Sequence, residues 1–131
     1  MENILEFIKG QKVTYLATIE NGDQARVRPM SALIEIDGKL AWCTNRKGEL
    51  FKEVVANPKI EFCMYEAGKT VRLSGSCFPH DSEAIKAEFL KIQPAVANYY
   101  GGGLEEMAVM IFEDARAFLV AGSKKETIEI Y

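Results

Sequence analysis

The sequence predicts a mainly β protein, a small antiparallel barrel with helices packed on its outside. Three observations carry this. Tight-turn signals recur between short apolar runs, at Asn21-Gly22-Asp23, Asp37-Gly38 and Gly68-Lys69. The runs form hairpins and do not alternate with helices, which argues against a doubly wound parallel sheet. Only three segments repeat their apolar residues at helical spacing.

Each element follows from local pattern. Glu2 to Lys9 reads as a short amphipathic helix, with Ile4, Leu5 and Ile8 on one face and Gly10 at its end. Val13 to Ile19 is a first strand, Gln24 to Ile36 a long second one, and Leu40 to Thr44 a third, so two hairpins in succession make a meander. Asn45 to Ala56 reads as a helix capped by Asn45, buried through Leu50, Val54 and Val55, and stopped by Asn57-Pro58. Ile60 to Tyr65 and Thr70 to Phe78 flank the Gly68-Lys69 turn as two further strands. Asp81 caps a helix that runs to about Asn98, with Ile85, Phe89, Ile92 and Val96 as its buried stripe and a kink at Pro94. Gly101-Gly102-Gly103 forms a flexible break. Ala108 to Val120 is a last long strand or strand pair, and Thr127 to Tyr131 adds a short one. The sum is six or seven strands and three helices in one domain over residues 1–131.

Composition narrows the function. Apolar residues make up 48% and charged residues 27% of the 131, an ordinary globular balance. The net charge of −3 argues against a nucleic-acid partner, which favours a basic face. No apolar run approaches the roughly 18–20 residues that cross a bilayer, so no membrane association is expected. The start, Met1-Glu2-Asn3-Ile4-Leu5, has no basic region or apolar run of a signal peptide, which points to the cytoplasm. Cys43, Cys63 and Cys77 are odd in number and make no CxxC, as free thiols in a reducing compartment would. One histidine, His80, and scattered cysteines make no metal cluster.

Three places could carry chemistry. Arg26 and Arg28 alternate with Val27, so both guanidinium groups lie on one face, continued by Met30, Ala32, Ile34 and Ile36. Two cations leading into an apolar surface suit a ligand with an anionic end and a flat body, since guanidinium matches phosphate with two parallel hydrogen bonds. The same pair could equally be solvated arginines at a strand end. Pro29 removes a ladder donor, so it belongs on an edge or bulge, where backbone groups are free for a ligand or simply for water. Cys43-Thr44-Asn45-Arg46-Lys47-Gly48 leads from a strand into a helix, whose N-terminal N–H groups, with Lys47 and Lys52 nearby, could cradle a phosphate. It also reads as a plain Asn cap beside a solvated basic turn. Tyr99-Tyr100 could lie over a flat ring or pack on the barrel.

These strings, taken in order, resemble a known family. Tyr15-Leu16-Ala17-Thr18, Arg26-Val27-Arg28-Pro29-Met30, Cys43-Thr44-Asn45, Asn57-Pro58-Lys59 and Val71-Arg72-Leu73-Ser74-Gly75 are similar to the pyridoxamine 5′-phosphate oxidase-like, FMN-binding split-barrel family. The likeness is greatest to its short bacterial, nitroimidazole-resistance-type members, and it covers about Phe7 to Phe78 well. It implies a six-stranded split barrel that forms a homodimer with FMN at the interface. It also implies that Arg28 meets the FMN phosphate, that Pro29, Met30 and Ser31 meet the isoalloxazine, and that Cys43 and Thr44 end the next strand beside it. Asn45 and Lys47 fall in the phosphate turn, Lys52 on the following helix, and Thr70 where longer members place a glutamine on the flavin. Glu49-Leu50 departs from the Arg-Lys pair of the longer oxidases, which shifts weight to Lys47 and Lys52. The C-terminal extension that carries substrate residues in longer members has no counterpart, so oxidation of pyridoxamine phosphate is not implied.

The expected function is therefore a flavin-dependent oxidoreductase acting between a small-molecule electron donor and acceptor. A non-catalytic flavin storage or sensor protein would use the same site. Heme or F420 are the alternative ligands, with His80 the only histidine available to a heme.

Overall fold

Alternation along β1 (Val13–Glu20) buries Thr14, Leu16 and Thr18 and leaves Val13 and Tyr15 in solvent. In the computed structural model, which describes residues 3–100 and 103–131, this strand lies beside β2 (Gln24–Ser31) on one side. On its other side lies β5 (Lys59–Glu66). The hairpin turns repeat one solution. Asn21-Gly22, Asp37-Gly38 and Ala67-Gly68 each place two successive residues at φ between 51° and 80°, the left-handed pair that joins twisted strands tightly.

The twelve-residue β6 (Lys69–His80) organises the rest. Lys69–Ser76 pairs with β5, and Lys69–Ser74 pairs on the other side with β8 (Arg116–Ala121), which in turn pairs with β9 (Lys124–Glu129). Cys77–His80 leaves that sheet and pairs with β7 (Met107–Phe112). Beyond β7 come β4 (Lys39–Asn45) and β3 (Ile34–Ile36). The path runs β2-β1-β5-β6-β7-β4-β3, and its two ends do not pair with each other, so the barrel is split between β2 and β3.

The crossover within β6 rests on Gly75. A Cβ there would overlap the Asp114 carbonyl oxygen and lie 3.0 Å from Phe112 Cδ1. The close approach is held by Ser76 N–H donating to Asp114 Oδ1 at 2.9 Å and Glu113 N–H donating to the Ser76 carbonyl at 2.8 Å.

Two cores result. Inside the barrel, Leu16, Trp42, Phe62, Leu73 and Phe112 are fully enclosed, with Trp42 edge-on to Phe62 at 5.8 Å. Burying each such side chain contributes about 1.5–3 kcal/mol. Outside the second sheet, Ile34, Ile36, Val109 and Ile111 pack under Phe89 of α3 (Glu83–Ile92) and Val96 of the 3₁₀ helix Pro94–Tyr99. Helices α1 (Ile4–Lys9) and α2 (Glu49–Ala56) close on the barrel core through Phe7, Ile8, Leu50 and Val54. No helix among the described residues is long and apolar enough to cross a membrane.

The class is as predicted, mainly β with flanking helices, and several elements differ. There are nine strands among the described residues. Gln24 to Ile36 is not one strand: it breaks at Ala32-Leu33, and its two pieces form the two lips of the split. Met30 therefore faces the barrel core, whereas Ile34 and Ile36 belong to the outer core. Gly48, not Asn45, caps α2, whose buried face is Leu50, Glu53 and Val54, with Val55 exposed. The third hairpin turns at Ala67-Gly68, one residue earlier than Gly68-Lys69. Ser82, not Asp81, caps α3, which ends at Ile92, and Pro94 starts a 3₁₀ helix in place of a kink. Ile92 is exposed. Of the glycine break, Gly101 and Gly102 lie outside the described residues.

Candidate functional site

The break between β2 and β3 makes β2 an edge strand, and Pro29 sits on it as proline chemistry requires. Along this edge opens a cleft of about 340 Å³ lined by Pro29, Met30, Ser31, Cys43, Asn45, Val96, Tyr99 and Tyr100. Its three walls are the end of β2, the end of β4 and the 3₁₀ helix. Five of the ten residues singled out from the sequence meet here.

The walls differ in character. Cys43 and Asn45 alternate with Trp42 and Thr44, so the first pair faces the cleft while Trp42 is buried in the barrel core. Tyr100 is buried and its hydroxyl donates to Cys43 Sγ at 3.5 Å. Burial pushes the Tyr100 phenol far up and the Cys43 thiol up, so both are neutral near pH 7. Tyr99 is 74% exposed at the mouth. The cleft is thus uncharged within and mostly apolar, with Ser31, Asn45 and a free strand edge as its polar side.

Arg28 precedes Met30 by two residues on the same face of β2, about 7 Å along the strand. Its guanidinium forks onto Glu53 of α2, Nη1–H to Oε1 and Nη2–H to Oε2, both at 2.9 Å. A second Nη1–H reaches Thr18 Oγ1 at 3.0 Å, and that hydroxyl donates to Glu53 Oε1 at 2.6 Å. Glu53 is only 5% exposed, and the Arg28 guanidinium beside it holds its carboxyl below the usual range despite burial. Sequence reasoning missed Glu53 and Thr18. One signal was available: Glu53 shares the face of Leu50 and Val54, where an unpaired carboxylate has no place.

The other cations of the region are paired as well. Arg26 meets Glu20 at 2.9 Å, Lys47 meets Glu106 at 3.0 Å, Lys52 meets Glu49 at 3.3 Å, and Arg46 meets Asp81. Lys47 and Lys52 point into solvent and do not line the cleft. Asn45 closes the turn after β4, accepting from Lys47 N–H at 2.8 Å. Thr70 faces Tyr65 across the β5–β6 hairpin, three strands from β2, or about 14 Å at the usual spacing. His80 is exposed at the end of β6, away from the cleft.

The profile of the family described as pyridoxamine 5′-phosphate oxidase matches residues 1–121. The chain belongs to this family. As a member of it, the chain is similar to a NimC/NimA family protein from Clostridium acetobutylicum, at 35% identity over 96% of this chain and 90% of that one, with a TM-score of 0.86. The fold is shared at 15% identity with General Stress Protein 26 from Bacillus anthracis, over 96% and 95% of the two chains, TM-score 0.74. It is shared at 12% identity with the heme storage protein HutZ from Vibrio cholerae, over 83% and 85%, TM-score 0.65. No curated protein matches the chain in sequence.

Proposed function

We propose that the protein binds FMN in the cleft along β2 as a homodimer, and works as a flavin-dependent oxidoreductase on a small molecule. The observation that carries this reading is the meeting of Pro29, Met30, Ser31, Cys43 and Asn45 in one uncharged cleft, with Arg28 two residues before Met30 on the same strand. The donor set fits the group. A flat ring suits walls of Met30, Val96 and Tyr100, its polar edge suits the unpaired backbone of an edge strand, and Arg28 stands a short strand step away for a phosphate. Asn45 adds an amide beside the ring.

One copy leaves the cleft open. The outer face of the same sheet carries Val13, Tyr15, Val27 and Tyr65, of which Val27 is 67% and Tyr65 70% exposed. Apolar side chains gathered on one sheet face favour a protein partner, and a second copy is the partner this reading assigns. Thr70 lies opposite Tyr65 on that face, so it would reach the flavin from the second copy and not from its own.

Bound FMN supplies hydride and electron transfer between a donor, such as a reduced nicotinamide, and a small acceptor. The chain binds and orients it, and excludes water with Tyr100 and Val96. No side chain is assigned as acid or base, because the Cys43 and Tyr100 protons are held firmly. We place the protein in the cytoplasm as a single domain, consistent with three free thiols. An F420 tail would need a wider run of open cations, and those of this region are paired with carboxylates. A histidine-ligated heme does not suit this cleft, because exposed His80 stands outside its lining. A chromophore retained in His80→Ala excludes that residue as the ligand.

The test is the visible spectrum of protein purified without added cofactor, with heat release and identification of the chromophore. Flavin bands and released FMN near one per chain are expected, followed by NADH or NADPH turnover with nitro and quinone acceptors. Full occupancy without turnover on any donor would move the reading to storage or sensing. Colourless protein that takes up no added FMN would end it.

A further inference from the structure

Every cation expected at the flavin phosphate already has a carboxylate partner, but the pairs are unlike. Lys47–Glu106 and Lys52–Glu49 hold flexible ammonium groups in solvent and can exchange onto an incoming phosphate. Arg28–Glu53 is enclosed, two-pronged and tied to Thr18, with Arg28 retaining 29% side-chain exposure. Breaking it would strand a buried carboxylate. Arg28 must therefore meet a ligand without leaving Glu53.

The guanidinium geometry allows this. Arginine has five N–H donors. Three are used here: both on Nη1 and one on Nη2. Nη1 is the nitrogen cis to Cδ, so Glu53 occupies the end of the fork. The Nε–H and the remaining Nη2–H lie together on the side edge, and no described residue accepts from either. That edge is itself a two-donor match for a phosphate.

We propose that Glu53 is a positioning residue for phosphate recognition: it takes the end of the Arg28 fork and so fixes the side edge as the one offered to the FMN phosphate. This rests on the FMN reading above. Glu53 holds the end edge and the phosphate would take the adjacent side edge, so the phosphate lies nearer the cation than the carboxylate and attraction outweighs repulsion. The gain is preorganisation, since a long side chain no longer has to be ordered when the ligand arrives. Thr18 braces both partners, through one hydrogen bond to each.

The experiment titrates the full apo chain with FMN and with riboflavin, which lacks only the phosphate, and reads the ratio of the two Kd values. Damage to the fold or the ring site moves both ligands; loss of a phosphate edge moves FMN alone. Wild type is expected to prefer FMN. In Glu53→Gln the preference should fall by about tenfold or more, the scale of a charge-assisted hydrogen bond, with riboflavin little changed. The double variant Arg28→Leu with Glu53→Leu strands no charge, should stay folded, and should show a similarly small preference. Thr18→Val should lose a smaller part of the preference, and it decides the matter if Glu53→Gln does not fold. A ratio unchanged or raised in Glu53→Gln, or an equal weakening of both ligands, would overturn the positioning role while leaving FMN binding standing. Wild type that binds neither flavin, or binds both alike, would overturn the phosphate site itself.

Discussion

Replacing Gly75 with alanine should be among the most damaging single-methyl additions in this chain. The added Cβ would overlap the Asp114 carbonyl oxygen, and it would also stand 3.0 Å from both Asp114 C and Phe112 Cδ1. The nearest obstacle is backbone, so no rotamer change relieves it. Strand β6 and the Glu113-Asp114 loop must separate, and two hydrogen bonds span that contact, Ser76 N–H to Asp114 Oδ1 and Glu113 N–H to Ser76 O. Each contributes about 1 kcal/mol. Overpacking by one carbon adds roughly 1–3 kcal/mol. The expected loss is then about 3–5 kcal/mol, a large part of the roughly 5–15 kcal/mol that holds an ordinary domain. Urea unfolding followed by circular dichroism should show a midpoint roughly 2 M lower at an m-value of about 2 kcal/mol/M. Protein concentration must be fixed, because dimerisation would contribute to the apparent stability. Ser74→Ala, on the same strand, is the control and should stay within about 0.5 kcal/mol of wild type. A Gly75→Ala loss under about 1 kcal/mol would refute the claim that the crossover needs this close approach.

Arg28→Ala should weaken FMN binding and also destabilise the fold by roughly 3–5 kcal/mol, because it leaves Glu53 buried without its cation; undiminished stability in denaturant would contradict the pairing. The Glu53 carboxyl is held below its unfolded value, so its contribution is complete above the ordinary glutamate range near about 4.3 and is lost as pH falls through the lowered value. Acid unfolding of wild type should accordingly be steeper below about pH 4 than that of the double variant Arg28→Leu with Glu53→Leu; identical profiles would remove the linkage. Tyr131 accepts from Leu40 N–H at 2.7 Å and donates to Phe112 O at 3.1 Å, and burial pushes its phenol up to about 12. Tyr131→Phe should cost about 1–3 kcal/mol through the unpaired amide, measured by thermal melts, and a neutral result would show that water replaces the hydroxyl. Cys43, half-buried on the cleft wall with its thiol raised by desolvation, should react with maleimide at pH 7 more slowly than after unfolding, and equal rates mapped to Cys43 by mass spectrometry would contradict the raised thiol.

The parts of the fold legible in the sequence are those fixed by local chemistry. Asn21-Gly22 and Asp37-Gly38 announced hairpins because few residues accept consecutive left-handed conformations. The break after Ser31 was not legible. Ala32 continues the two-residue alternation towards Ile34 and Ile36, and what ends β2 is tertiary, with Thr14 Oγ1 donating to Ser31 O and Gln93 Nε2 donating to Ala32 O. Asn45 misled for a related reason: its side chain does make a cap-like bond, to Lys47 N–H, but closes a turn before the helix. The strand half of the site was readable, because Pro29 marks an edge and alternation selects Cys43 over Trp42. The charged half was not. Which carboxylate neutralises which cation depends on chain crossings such as Arg28 to Glu53 and Lys47 to Glu106, which no spacing encodes.

Strand β6 has a consequence for how the molecule comes apart. Its first half is flanked on both sides, by β5 and β8, and its second half is a member of the other sheet. Neither sheet can open from its middle without releasing this one strand, so the two should share a fate instead of melting as separate cooperative units. Amides of Val71 and Leu73 should therefore exchange with deuterium only through global opening. Those of the lip β3, which has a single partner strand, should exchange through small local openings. Strand β2, which walls the cleft, likewise has a single partner strand, so one wall of the ligand site can open while the body of the barrel stays closed.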